Sequence, residues 1–135
     1  MKTTLYLIRH GATEANLARP QRLQGRKSNP PLARLGVRQA EATRDLLAIR
    51  PIDACYCSPL LRAVETAQIV AAPHRLAPVP VEALTECDIG GWEGLDWQTI
   101  RARDPSPSSA NATRPGGSAR HARRLDPGAG GDGSA

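Results

Sequence analysis

The sequence predicts an α/β sandwich with a mainly parallel sheet. Three observations carry this: strand-like and helix-like segments alternate up to about residue 103, the two longer helical segments are amphipathic, and turn residues or prolines bound most elements. Thr3 to Arg9 reads as a buried strand, because Leu5, Tyr6, Leu7 and Ile8 form a short continuous apolar run. Residues 17 to 33 read as a loop rich in Pro, Arg and Asn. A helix follows from about Ala33 to Ile49, with Val37, Ala40, Leu46 and Leu47 on its apolar side, Arg34, Arg38, Glu41 and Arg44 opposite, and Pro51 as its stop. Gly36 costs this helix a little helicity. Asp53 to Cys57 is a second short strand. Ser58-Pro59 reads as a helix start, Ser at the N-cap and Pro at the first helical position. That helix runs to about Ala71, with Leu60, Ala63, Val64, Ala67, Val70 and Ala71 spaced for one buried face, and Pro73 ends it. Val79 to Leu84 is the third strand, and a short helix from about Asp96 to Arg103 follows a loop.

At 135 residues the chain has room for one domain and one core. Phe is absent and aromatic residues make up 3%, so the core must be built from Leu, Ile, Val and Ala. Most of the excess among twelve Gly and twelve Pro falls after Asp104, where Pro105-Ser106-Pro107-Ser108-Ser109 leads into Pro115-Gly116-Gly117 and a Gly-rich end. With Leu125 as its sole large apolar residue, this segment cannot offset the entropy of ordering it. The expected division is therefore a folded body at 1–104 and a disordered Pro/Gly/Ser/Arg-rich tail at 105–135. A net charge of +5, carried mostly by Arg, suits an anionic small molecule. Three cysteines, an odd number without a secretory leader, fit a reducing cytoplasm, and the run Leu5 to Ile8 is too short to span a membrane. Cys55 and Cys57 alternate onto one strand face and read as small buried hydrophobes, so no metal or other cofactor is expected.

Chemistry concentrates where the first strand ends, at Leu7-Ile8-Arg9-His10-Gly11-Ala12-Thr13-Glu14-Ala15-Asn16. An imidazole at a strand end, beside a guanidinium and a glycine that lets backbone approach a ligand, suits a phosphoryl acceptor. Further landmarks follow in order: Leu23-Gln24-Gly25-Arg26, then Ser58-Pro59-Leu60-Leu61-Arg62-Ala63 with Glu65-Thr66-Ala67, then Leu84-Thr85-Glu86 with Gly90 and Trp92-Glu93-Gly94. This set, spread over residues 4 to about 104, resembles the histidine phosphatase superfamily, also called the phosphoglycerate mutase-like family. The resemblance implies a three-layer sandwich with a mainly parallel sheet, here incomplete at the C-terminus.

It also implies roles. His10 would attack a phosphoryl group to give a phosphohistidine that water hydrolyses, and a hydrogen bond to its other ring nitrogen would have to fix the tautomer. Arg9 and Arg62 would hold phosphoryl oxygens, Arg being suited by its planar fork. Asn16 would donate its amide to the same oxygens, and Gln24 and Gly25 match a loop that closes on substrate. Glu86 would protonate the leaving oxygen, which calls for a raised pKa; Asp88 and Glu93 are nearby alternatives. Bland readings stand beside these: a turn-forming Asn16, a solvated surface arginine, an idle loop carboxylate. For Arg26, Arg34, Arg38 and Arg44 the bland reading is adopted, and N-capping explains Ser58.

The chain departs from the family in two places. Lys27-Ser28-Asn29-Pro30-Pro31 stands where many members carry an Asp, with one residue more. The family's second active-site histidine, in a His-Gly-Gly-like turn, finds no match in His74 or His121. The compositional shift near residue 104 is what a reading-frame change or truncation would produce. The expected function is phosphomonoester hydrolysis through His10, impaired by the missing histidine, on a small-molecule phosphoester. Alternatives are a non-catalytic phospho-ligand binding module or defunct fragment, a mutase-type isomerase, and nucleic-acid contact through Arg114, Arg120, Arg123 and Arg124, where no aromatic residue follows Trp97 to stack on bases. No membrane partner is expected.

Overall fold

The structure, a computed structural model, describes residues 1–104. Its main layer contact is between two helices, α2 (Arg34–Leu47) and α3 (Leu61–Ala71), which pack on one another. Small buried side chains, Ala33 and Ala40 on one side and Ala67 and Ala71 on the other, keep that interface shallow. Leu47, Leu60 and Val70 add apolar bulk to the core.

Against α3 lies a parallel pair of short strands, β1 (Tyr56–Cys57) and β2 (Val79–Pro80), with Tyr56 opposite Val79 and Cys57 opposite Pro80. Val79 N donates to Cys55 O at 2.9 Å and Val81 N to Cys57 O at 2.8 Å. Pro80 falls between these donors, where its missing N–H removes nothing from the ladder. The unit β1–α3–β2 is therefore a strand, helix, parallel-strand crossover, as the order of elements predicts. A one-turn helix α1 (Glu14–Leu17) follows the Arg-His-Gly triplet, and α4 (Trp97–Arg103) is capped by Asp96, whose Oδ1 accepts from Thr99 N at 2.9 Å.

Several expectations need correction. Thr3 to Arg9 is not a strand: no ladder partner pairs with it among the described residues, and Leu5 and Leu7 stand 77% and 88% exposed. Apolar sequence supplies the side chains of a strand but not the neighbour that satisfies its backbone. The second and third strands shrink to two residues each, and Glu82–Leu84 turns as a 3-10 helix instead of extending β2. On α2 the buried positions are Gly36, Ala40 and Leu47, whereas Leu46 is exposed and Val37 borders on it. α3 starts at Leu61 with Leu60 as its cap; Ser58 still serves the turn, its Oγ accepting from Leu60 N at 3.2 Å. The buried face of α3 includes Arg62 and Thr66, which an apolar pattern does not anticipate. The tail expected to be disordered, with its arginines and His121, lies outside the described residues.

Candidate active site

The Arg-His-Gly turn is fixed to two helices. Gly11 N donates to Thr66 Oγ1 at 3.0 Å, and that hydroxyl donates onward to Arg62 O at 2.7 Å, tying the turn to α3. Ala12 N donates to Gln39 Oε1 at 2.9 Å and Ala12 O accepts from Ala33 N at 2.9 Å, tying it to α2. Contact with α2 is so close that a Cβ on Gly11 would lie 2.3 Å from Gly36 O, and one on Gly36 would lie 2.0 Å from Ala12 O. Gly36, costly for helicity, is what lets the turn settle on the helix.

Within this frame His10 Nδ1 lies 2.7 Å from Gly11 O. A carbonyl can only accept, so Nδ1 carries the proton and Nε2 keeps its lone pair. Partial burial holds the imidazole pKa below its ordinary 6.5; the Gly11 bond opposes this, Arg62 and Arg9 reinforce it, and Glu86 opposes it. His10 is thus a neutral imidazole at neutral pH with Nε2 as the free base.

Two clefts meet at His10. One, of about 190 Å³, is lined by His10, Ser58, Leu60, Arg62, Leu84 and Glu86 among others. The second, of about 340 Å³, holds Arg9, His10, Asn16, Gln39 and Thr43 among its walls. The structure therefore gathers His10 with Arg62 and Glu86 on one side and with Arg9 and Asn16 on the other. Gln24 and Gly25 line neither cleft. Gln24 instead reaches the fully buried Thr13, its Oε1 accepting from Thr13 Oγ1 at 2.8 Å. Asn16 Oδ1 accepts from Thr13 N at 2.9 Å in a capping box, which leaves its amide nitrogen as a donor.

Arg62 is 2% exposed overall, with Nη1 donating to Ser28 O at 2.9 Å and Nη2 to Gly25 O at 3.2 Å. Two backbone carbonyls thus hold the guanidinium of a residue that lines the cleft. Glu86 runs against expectation: its carboxyl sits below the ordinary 4.5, chiefly because Oε1 accepts from Cys87 N, with the Cys87 thiol, Arg62 and His10 adding to the effect against burial. In this state it is a carboxylate, not an acid. Asp88 Oδ1 accepts from Gly90 N at 2.9 Å and lies 3.7 Å from Lys27 Nζ, contacts that hold its carboxyl below the ordinary range, so it has no proton to give; Glu93 is engaged by the Lys27 and Ser28 backbone amides. Among the arginines read as bland, Arg26 pairs with Glu82 at 3.0 Å and Arg44 with Asp45 at 2.8 Å.

Sequence reasoning missed Thr13, Gly36, Gln39 and Thr66 as supports of the site. Thr13 and Asn16 had a signal, since Thr-x-x-Asn before a short helical run is a capping-box spacing. Thr66 stood in the Glu65-Thr66-Ala67 landmark, but its partner Gly11 lies 55 residues away, and Gln39 had no signal, its partner Ala12 lying 27 residues away. Among the described residues no three His, Cys, Asp or Glu side chains gather as metal ligands, and no helix is long and apolar enough to cross a membrane.

Comparison with known proteins decides the family. The model of the histidine phosphatase superfamily (branch 1) matches residues 5–125. The chain belongs to this superfamily. It is 43% identical over 104 residues to a bifunctional protein of Mycobacterium tuberculosis, covering 76% of this chain and 28% of that one. With the adenosylcobalamin/alpha-ribazole phosphatase of Salmonella typhimurium it shares 37% identity over 81% of its own length and 52% of the relative's. Among solved structures, a mycobacterial glucosyl-3-phosphoglycerate phosphatase in complex with VO3 superposes with a TM-score of 0.67 and 32% identity, over 75% of this chain and 49% of that one. The chain thus spans about half the length of such relatives, or less, and the described residues carry the corresponding part of an α/β phosphoglycerate mutase-like fold with a parallel sheet.

Proposed function

We propose that this chain acts on small phosphomonoesters in the cytoplasm through a phosphohistidine formed on His10. The observation that carries the reading is the Nδ1 bond to Gly11 O, which leaves Nε2 as a neutral nucleophile beside the Arg62 guanidinium. Nε2 attacks phosphorus, the bond from phosphorus to the ester oxygen breaks, and its electron pair leaves on that oxygen, which takes a proton. Water then attacks phosphorus, the P–N bond returns its pair to Nε2, and inorganic phosphate leaves. Arg62, Arg9 and the Asn16 amide would gather the equatorial oxygens.

Glu86 would supply the leaving-group proton once a phosphoester is bound, because substrate negative charge close to the carboxylate raises its pKa. Residues 1–104 would form the N-terminal part of the phosphatase domain. Among them His10 alone of the histidines lines a cleft, so turnover would be lower by about 10²–10³ than with a second preorganised donor. The ionised Glu86 favours a second reading, a phospho-ligand binding module that forms no phosphoenzyme.

Turnover of a generic aryl phosphate by the full chain, beside His10→Ala, separates the two. Hydrolysis that vanishes in the variant, with an acid limb below pH 6.5 reflecting the lowered His10 pKa, is the expected result. Equal rates for both folded proteins, with phosphate esters still bound, would establish the binding module instead.

A further inference from the structure

The segment Gly25 to Leu32 contains Lys27 to Pro31, one of the two places where the sequence departs from its family's pattern, and most of its residues are tied down. Leu23 exchanges both backbone bonds with the strip at 94–95, Gly94 N donating to Leu23 O and Leu23 N to Leu95 O, each at 2.9 Å. Gly94 adopts φ +76°, a conformation that side chains disfavour, and so turns the chain alongside the loop. Glu93, just before it, reaches across: Oε1 accepts from Lys27 N at 2.8 Å and Oε2 accepts from Ser28 N. Gly25 leaves room for this, since a Cβ there would lie 2.5 Å from Glu93 Oε1 and 2.7 Å from Ile89 Cγ1.

The same short stretch holds Arg62. Ser28 donates its N–H to Glu93 and offers its carbonyl to Arg62 Nη1, while Gly25 O takes Nη2. We propose that Glu93 is a positioning residue for Arg62: its carboxylate anchors the Lys27 and Ser28 amides and so sets the two carbonyls that aim the guanidinium into the cleft beside His10. Glu93 lines neither cleft; its charge favours the ionised Arg62 guanidinium directly, and the positioning runs through the loop. The consequence for phosphate rests on the reading of Arg62 as a phosphoryl ligand; the consequence for Arg62 itself does not.

The discriminating variant is Glu93→Gln in the full chain. Gln has the size of Glu but only one accepting oxygen, and it sets an NH₂ group against one of the two amides. A packing role predicts no change. The positioning role predicts that the Lys27 and Ser28 amide NMR signals shift or broaden and that the restrained Arg62 side-chain N–H signals collapse into solvent exchange, with α2 signals unmoved. Inorganic phosphate would bind roughly tenfold more weakly, and trypsin would cut after Arg26 or Lys27 faster. In an Arg62→Lys background the same Glu93 change would cost less than about twofold, because its route of action is already gone.

Unaltered Arg62 signals in Glu93→Gln, or an equal loss of phosphate affinity in both backgrounds, would overturn the proposal. If the wild type binds no phosphate, the functional reading fails while the Arg62 signals still decide this one. Should Glu93→Gln not fold, Glu93→Asp, one methylene short of the amides, is read in the same way: released Arg62 signals support the proposal and unchanged ones overturn it.

Discussion

Two neighbouring stretches of this chain behave in opposite ways. From Leu5 to Ile8 every residue is apolar, yet the segment lies exposed and, among the described residues, unpaired; from Gly25 to Leu32 not one residue before Pro30 is apolar apart from Gly25, yet Glu93, Arg62, Glu65 and the Cys87 carbonyl hold the loop in place. Hydrophobicity gives a segment a reason to be buried, but backbone groups decide where it can go. The polar loop has a partner for its backbone at Lys27, Ser28 and Leu32, and that is what makes it a fixed wall of the site.

The contrast can be broken at its firmest point first. Gly36→Ala adds about 1 kcal/mol of helix propensity but drives a methyl into the Ala12 carbonyl, a backbone atom that cannot yield cheaply, at a cost of about 3 kcal/mol. Chemical denaturation should show a net loss near 2 kcal/mol, with His10 displaced and turnover lost; unchanged stability would mean that the turn does not rest on α2. Next, Thr66→Val keeps the shape of a buried side chain but strips the Gly11 N–H of its acceptor, which costs about 1–2 kcal/mol. Its activity should fall by more than its stability accounts for, because the unpartnered amide sits beside the nucleophile. Smallest of all, Leu7→Ala should change unfolding free energy by less than about 0.5 kcal/mol, since the side chain is already 88% exposed. A loss of 2 kcal/mol there would show that the apolar run is buried in solution and dissolve the contrast.

Much of the site was legible in the sequence. The order of strand, helix and strand and the helices around Arg34–Leu47 and Leu61–Ala71 could be read from pattern and period, and the family resemblance implied the meeting of His10, Arg62 and Glu86. Long-range partnership could not. An apolar run specifies a strand only when something pairs with it, so Leu5–Ile8 was misread by the rule that served Cys57. Gly36 looked like a defect of its helix, because a glycine tolerated for close approach and one merely tolerated are identical in sequence. The charge state of Glu86 was equally hidden: it depends on the adjacent Cys87 amide pointing at the carboxylate, which only coordinates display.

His10 as a nucleophile is the centre of the account, and the most direct measurement is acid-quench and alkaline-quench capture of protein mixed with a radiolabelled aryl phosphate. The account predicts label on the chain that survives alkali, is lost in acid as a phosphoramidate is, and is absent from His10→Ala. Label that survives acid, or that remains in the His10→Ala chain, would place the chemistry on another residue and contradict it.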